Sequence, residues 1–253
     1  MRYQWRLVLD PPMSGKENME KDLEIMEEVS AGDCPPTLRL YHWSPPAVSL
    51  GYFQDENKVV NMKACFEAGI DVVRRPTGGR AVLHDQELTY SIVVPEIHPF
   101  INKGGVMDAY RAISRGIVTA FNLLDIVASV VPEEKNRAGL TPGSCFDSST
   151  AYEIQVDGKK VVGSAQLRRD GIVLQHGSIL FRLPLEINQK VLKKDHKNEC
   201  ENKVELDQKA AGLLDLGYSV TYNRMTRALV KAFSMVIPAV FTSLDGLTNN
   251  KGD

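Results

Sequence analysis

The chain is short of several things at once, and each shortage closes off a class of protein. Its 253 residues hold four cysteines, Cys34, Cys65, Cys145 and Cys200, set far apart and without a CxxC pair. That spacing fits neither a zinc site nor a small disulfide scaffold, and it leaves the thiols as free groups of a reducing compartment. No apolar run reaches the length a bilayer requires, and the opening MRYQWRLVLDPP lacks the apolar core of a signal peptide. The expected location is therefore the cytoplasm, with no membrane contact. Neither sign of charge dominates: 30 Lys and Arg stand against 32 Asp and Glu, for a net charge of -2, so there is no electrostatic footprint for nucleic acid. P-loops, aspartate-rich magnesium motifs and internal repeats are missing as well, and no spacing of His and Asp brings three metal ligands together.

What is present suits one catalytic domain. A hydrophobic content of 43% can bury one substantial core, and no linker interrupts the chain, so a single domain is expected over residues 1–245 with a frayed tail at 246–253. Ser14 followed by Glu17 has the form of a capping box, and Met19, Leu23 and Met26 recur at helical spacing. A first helix is expected from about Lys16 to Val29 with its acidic residues facing water. Leu38, Leu40 and His42 alternate as a strand, and residues 56–69 read as a helix with Val60, Met62, Cys65 and Phe66 on its apolar side. Strands are expected at Ala81–Leu83 and Leu88–Val94, followed by a long helix marked by Tyr110, Ile113, Ile117, Phe121 and Leu124. Asp157-Gly158 and Asp170-Gly171 mark two hairpin turns, so Tyr152–Val156, Lys160–Gln166 and Ile172–Leu180 form an antiparallel meander. Met225, Leu229, Phe233 and Val236 define a last amphipathic helix.

Two segments carry chemical information. Residues 74–91, RRPTGGRAVLHDQELTYS, place Gly78 and Gly79 between arginines, where the main chain can approach a ligand closely. Taken alone, the same residues serve equally as an ordinary tight turn. The second segment, GSCFDSSTAYEIQVDGKKVVGSAQLRRDGIVLQHGSILF from Gly143 to Phe181, presents Cys145, Lys159-Lys160, Gly163-Ser164 and His176 in that order. A thiolate at Cys145 would attack a thioester readily if a cation or oriented amides lowered its pKa from about 8.5. By composition alone a cysteine is more often buried and inert.

Together with WRLVLDPPMSGKENMEKD and WSPPAVSLGYFQ, these motifs resemble the lipoate/biotin protein ligase superfamily, and within it the cysteine-dependent octanoyltransferases. Ser149 departs from the subfamily pattern, which has proline there. The resemblance implies an α+β fold with a mixed central β-sheet flanked by helices. It also implies transfer of octanoyl from octanoyl-acyl carrier protein, through a Cys145 thioester, to a lysine of a lipoyl domain such as that of the glycine cleavage H protein. No cofactor or metal is implied.

By the same resemblance Cys145 and Lys160 are the catalytic residues, with Lys160 polarising the acyl carbonyl. Gly78, Gly79 and Arg80 form one edge of the acyl pocket, and Gly163 and Ser164 the opposing wall. His84 and His176 supply hydrogen bonds within the pocket, although a strand histidine read alone is more often a satisfied structural residue. Arg75 is a further candidate for holding the acyl head or the carrier, and Arg74 is expected to be merely exposed. An ATP-dependent lipoate ligase, an amidotransferase acting between lipoyl domains, and a non-catalytic acyl-binding protein all remain compatible with these motifs.

Overall fold

The computed structural model describes residues 3–101, 105–132, 152–193, 209–237 and 239–243. Two sheets organise them. The larger is mixed and uses eight strands: β1 (Tyr3–Leu9), β2 (Thr37–Tyr41), β6 (Glu87–Pro95), β7 (Ala128–Pro132), β8 (Tyr152–Val156), β9 (Lys159–Arg169), β10 (Ile172–Leu180) and β11 (Ala239–Ser243). Their spatial order is β11-β1-β2-β6-β10-β9-β8-β7. β1 pairs in parallel with both β2 and β11, and from β2 to β7 every neighbour is antiparallel. The smaller sheet sets β3 (Ala47–Leu50) between β4 (Asp71–Arg74) and β5 (Val82–His84).

Alternation along β6 shows how the large sheet is used. Leu88, Tyr90, Ile92 and Val94 point into the main core, where they meet α4 (Val106–Asn122) and α6 (Tyr222–Val236). The two helices approach so closely that a methyl group on Gly116 would lie 2.4 Å from the Phe233 ring. The residues between them, Glu87, Thr89 and Ser91, point to the opposite side and are equally buried. That side is covered by α1 (Gly15–Ala31) and by the small sheet, through Val93, Ile172 and Leu174 against Ile25, Met26 and Val29.

The expected meander and its turns are present. Asp157 and Gly158 have φ of 51° and 75°, and Asp170 and Gly171 have 53° and 75°, the left-handed pairs that a two-residue hairpin requires. The capping box at Ser14 and Glu17 is formed, and α1 ends at Gly32 in the left-handed conformation. Its acidic residues do not all face water, as the spacing had suggested: Glu17, Glu20, Glu24 and Glu27 do, but Asp22 is fully buried because Arg39 and His176 meet it from the sheet. Residues 56–69 also differ from the single helix expected. Asn61 caps a second start, dividing the segment into α2 (Glu56–Val59) and α3 (Met62–Glu67), and Phe66 is 88% exposed rather than packed. A short helix, α5 (Leu185–Val191), follows β10.

Candidate active site

The Gly-Gly loop begins where β4 ends, and Arg75 builds it. Burial depresses the Arg75 guanidinium to about 10, so it remains a cation at neutral pH. Its Nη1 donates to the Ser49 carbonyl at 2.9 Å and to Ser49 Oγ at 3.1 Å. Nη2 donates to the carbonyls of Gly78 at 2.8 Å and Arg80 at 2.7 Å, and Nε reaches Thr77 Oγ1 and the Gly78 carbonyl, both at 3.2 Å. Five N–H groups in a rigid fork thus pull two loop carbonyls and one carbonyl of β3 toward one point, a task lysine could not perform. Arg74 is exposed, as expected, yet its Nη1 also works, donating to the carbonyls of Gly51, Tyr52 and Gln54 at 2.8–3.0 Å.

The glycine requirement falls on one expected position and one that went unnoticed. Gly79 has φ of +95°, and a methyl group there would sit 2.9 Å from Arg75 Nη2. Gly78 has open space around it. Gly51 is the tighter site: its absent side chain would overlap the Gly79 carbonyl oxygen at 1.9 Å. The SLG of WSPPAVSLGYFQ is therefore the other half of the Gly-Gly loop, a relation that local sequence does not encode.

The two expected histidines flank this loop without opening onto solvent; each is 6% exposed. His176 Nε2 lies 2.7 Å from Thr77 Oγ1, and its Nδ1 lies 3.1 Å from Asp22 Oδ2. His84 Nε2 lies 2.7 Å from Ser49 Oγ, and its Nδ1 lies 2.7 Å from Glu87 Oε1. Burial holds the His176 imidazole below its usual value despite the opposing pull of Asp22. Burial pushes the Asp22 carboxyl up, but His176 and Arg39 outweigh it and the net pKa is lowered. The pair is thus a neutral imidazole donating to a carboxylate. Glu87 likewise ends below its ordinary value, with burial outweighed by His84, Ser178 and Thr89. Sequence singles out none of Asp22, Glu87, Ser49 and Thr77, although all four stand within the quoted motifs.

Lys160 is brought to the same face by a β-bulge. Ile154 pairs with Val162 and Gln155 with Lys160, so Val161 is the extra residue. Val161 and Val162 both enter the main core. Lys160 and Gly163, three apart, then share the other side: a methyl group on Gly163 would meet Lys160 Cε at 3.2 Å. Lys160 Nζ pairs with Glu153 Oε1 at 2.5 Å, and its side chain keeps 32% exposure. Gly163 stands opposite Ser178, whose hydroxyl donates to Glu87 at 2.6 Å, so the lysine stands on the face of the sheet that carries the loop network. Ser164 goes elsewhere. Its hydroxyl points to the apolar side and bonds the Tyr90 hydroxyl at 2.7 Å, while burial pushes the Tyr90 phenol up to about 12.

Cys145 lies outside the described residues, as do Asp147, Ser149 and Cys200. Burial raises the pKa of both described thiols, Cys34, which also faces Glu28, and Cys65, which is packed in the small-sheet cluster, and so disfavours the thiolate form in each. Among the described residues no group of His, Cys, Asp and Glu could hold a metal. A separate surface hollow of about 440 Å³, lined by Asn61, Ala64, Glu67, Ala68, Ile187 and Lys190, contains none of the candidate site residues.

Residues 14–234 match the lipoyl protein ligase A/B catalytic domain. The chain belongs to that family. Curated relatives include the octanoyltransferase LipM of Kyrpidia tusciae, 43% identical over 242 residues that cover 93% of this chain and 88% of the relative. The octanoyltransferase LipM of Staphylococcus aureus is 39% identical over 223 residues, covering 85% and 80%. Among solved structures, the bipartite lipoate protein ligase of Thermoplasma acidophilum superposes with a TM-score of 0.76 at 24% identity, covering 96% of this chain and 88% of that one. Lipoate-protein ligase A bound with ATP gives 0.74 at 24% identity, covering 97% and 90%. These likenesses establish the ligase fold for the mixed sheet and its flanking helices.

Proposed function

We propose that the chain is an octanoyltransferase that moves octanoyl from octanoyl-acyl carrier protein to a lysine of a lipoyl domain, such as that of the glycine cleavage H protein, in the cytoplasm. One observation carries this reading: relatives named octanoyltransferase LipM align at 39% and 43% identity over 85% and 93% of the chain. It is supported by the chemistry of the thiols, because burial disfavours the thiolate form of Cys34 and Cys65.

The Cys145 thiolate attacks the thioester carbonyl of the donor, a new C–S bond forms, and the carrier's phosphopantetheine thiolate departs and takes up a proton. The acceptor amine then attacks the acyl-enzyme, the C–S bond breaks, an amide forms, and the amine's surplus proton goes to the released cysteine or to water. No ATP is consumed, because the donor is already a thioester. Lys160, held by Glu153 beside Gly163, stabilises the oxyanion in both steps. Gly78, Gly79 and Arg80 frame the acyl site, and Arg75 shapes that frame from behind. Residues 1–245 form the one catalytic domain.

The test is the intact mass of the protein after incubation with octanoyl-acyl carrier protein in the absence of ATP, followed by addition of apo H protein. A hydroxylamine-sensitive octanoyl group on Cys145 that passes to the acceptor is the expected result. Acceptor modification only when ATP and free octanoate are supplied would make the chain a ligase, and full transfer by Cys145→Ser would refute the thioester route.

A further inference from the structure

Every hydrogen bond of the buried Arg75 among the described residues goes to a carbonyl or a hydroxyl, and the two hydroxyls occupy equivalent places. Thr77 Oγ1 accepts from Arg75 Nε and faces His176 Nε2; Ser49 Oγ accepts from Arg75 Nη1 and faces His84 Nε2. Behind each imidazole stands a buried carboxylate on Nδ1, Asp22 for one and Glu87 for the other. Arginine can only donate and a carboxylate can only accept, so with a neutral imidazole between them the intervening protons have one consistent direction. Each carboxylate takes the Nδ1 proton, each Nε2 takes the hydroxyl proton, and each hydroxyl is left with its lone pairs turned to the guanidinium.

We propose that Ser49 and Thr77 are positioning residues: two carboxylate–histidine–hydroxyl relays orient their hydroxyls toward Arg75, and so lock the fork that fixes the Gly78–Gly79 backbone. The relays come from different parts of the fold. Asp22 and His176 belong to α1 and β10, whereas Ser49 and His84 belong to the small sheet and Glu87 to β6. Further bonds hold each carboxylate: Arg39 and Tyr41 donate to Asp22 at 2.8 and 3.2 Å, and Thr89 and Ser178 donate to Glu87, both at 2.6 Å. The loop is thereby tied to both sheets and one helix at a single cation. His84 and His176 orient the hydroxyls and exchange no proton with substrate. The importance of the lock for turnover rests on the octanoyltransferase reading; the lock itself does not.

Thr77→Val keeps the shape of the side chain and removes the hydroxyl, Thr77→Ser restores it, and Ser49→Ala interrupts the other relay. Two measurements read the lock directly in the full-length protein. These are hydrogen–deuterium exchange of the amides of residues 77–81, and the side-chain Nε–H resonance of Arg75 in protein labelled with ¹⁵N-arginine. Thr77→Val should speed both exchanges about tenfold or more and Ser49→Ala by a similar factor, with Thr77→Ser close to the parent, since one neutral hydrogen bond is worth about a factor of ten. Unchanged exchange in both hydroxyl-free variants would overturn the proposal. The rate of Cys145 acylation at limiting octanoyl-acyl carrier protein separates the two layers. Faster exchange with a KM raised about tenfold and kcat nearly kept supports the lock as a donor-site device. Faster exchange with unaltered acylation supports the lock and overturns the loop as the acyl site.

Discussion

The two faces of the eight-stranded sheet are equally buried and built by opposite means. On one, Leu88, Tyr90, Ile92 and Val94 meet Phe121, Leu229 and Phe233 in a nearly uniform apolar core. On the other, Glu87, Thr89 and Ser91 share the interior with Arg39, His176 and Asp22. The apolar face gains stability from area removed from water, which is non-directional and forgiving of exchange between similar side chains. The polar face gains little net stability from the same burial, because each group must first lose its hydration. What it gains is geometry, since hydrogen bonds at 2.6–2.8 Å fix positions that packing alone would leave to several rotamers. The Gly78–Gly79 loop sits on that face.

The sharpest way to break the contrast is to remove one buried charge. Arg39→Met leaves Asp22 without its main counter-charge and should lower stability by about 3–5 kcal/mol, measured by urea unfolding. Adding Asp22→Asn should then cost less than the sum of the two changes, because the stranded charge is gone. On the apolar face, Phe233→Ala should cost a similar amount, about 3–5 kcal/mol, but no second truncation beside it should restore the loss. Additivity of the Arg39 and Asp22 changes would erase the distinction between the faces.

Next in size is Lys160→Met, which should slow formation of the acyl-enzyme by about 10²–10³-fold, the usual cost of one oxyanion-stabilising group, as followed by quenched-flow mass spectrometry. Replacing its partner is gentler. The Lys160–Glu153 pair is partly exposed, so Glu153→Gln should reduce the same rate by about fivefold, in line with about 1 kcal/mol for a solvent-screened pair. Gly51→Ala tests the loop from its other side. With a methyl group 1.9 Å from the Gly79 carbonyl, it should disturb donor binding while Phe233 and its neighbours melt as before.

The smallest effect is a pH dependence. The folded pKa of His176 lies below its ordinary 6.5, so the unfolded chain takes up its proton first and stability falls as the pH drops below that value. The contribution is complete above about 6.5 and is lost progressively on acidification, and His176→Gln should flatten that part of a melting-temperature profile. The lowered Asp22 and Glu87 values act in the same direction further down, with stability lost as the pH falls below their ordinary 3.8 and 4.5.

Periodicity and turn chemistry made the apolar face readable in advance. The long helix marked by Tyr110, Ile113, Ile117 and Phe121, the last amphipathic helix, the capping box at Ser14 and both Asp-Gly hairpins follow from local residue type and spacing, and all are present, with the long helix ending at Asn122, before Leu124. The polar face was legible only where its residues fall in motifs. Lys160, His84, His176 and the glycines stand out in the sequence, but their partners do not. Asp22 is 154 residues from His176, and it looks like any other acidic residue of a charged helix. Thr77 is 99 residues from the same imidazole. Such pairs are created by the fold, and single-chain spacing carries no record of them. Gly163 and Ser164, adjacent in one motif, take opposite faces of the sheet, a division that strand alternation makes and motif membership does not show.

The bulge at Val161 has a bearing on how the segment can change over generations. By inserting one residue it shifts the phase of β9, so Lys160 and Gly163 face the same way at an odd separation. A point substitution within GKKVVGSAQ leaves that phase intact. An insertion or deletion between Lys160 and Gly163 instead demands a compensating change in the pairing with β8. The segment is thus open to drift in residue type and nearly closed to drift in length.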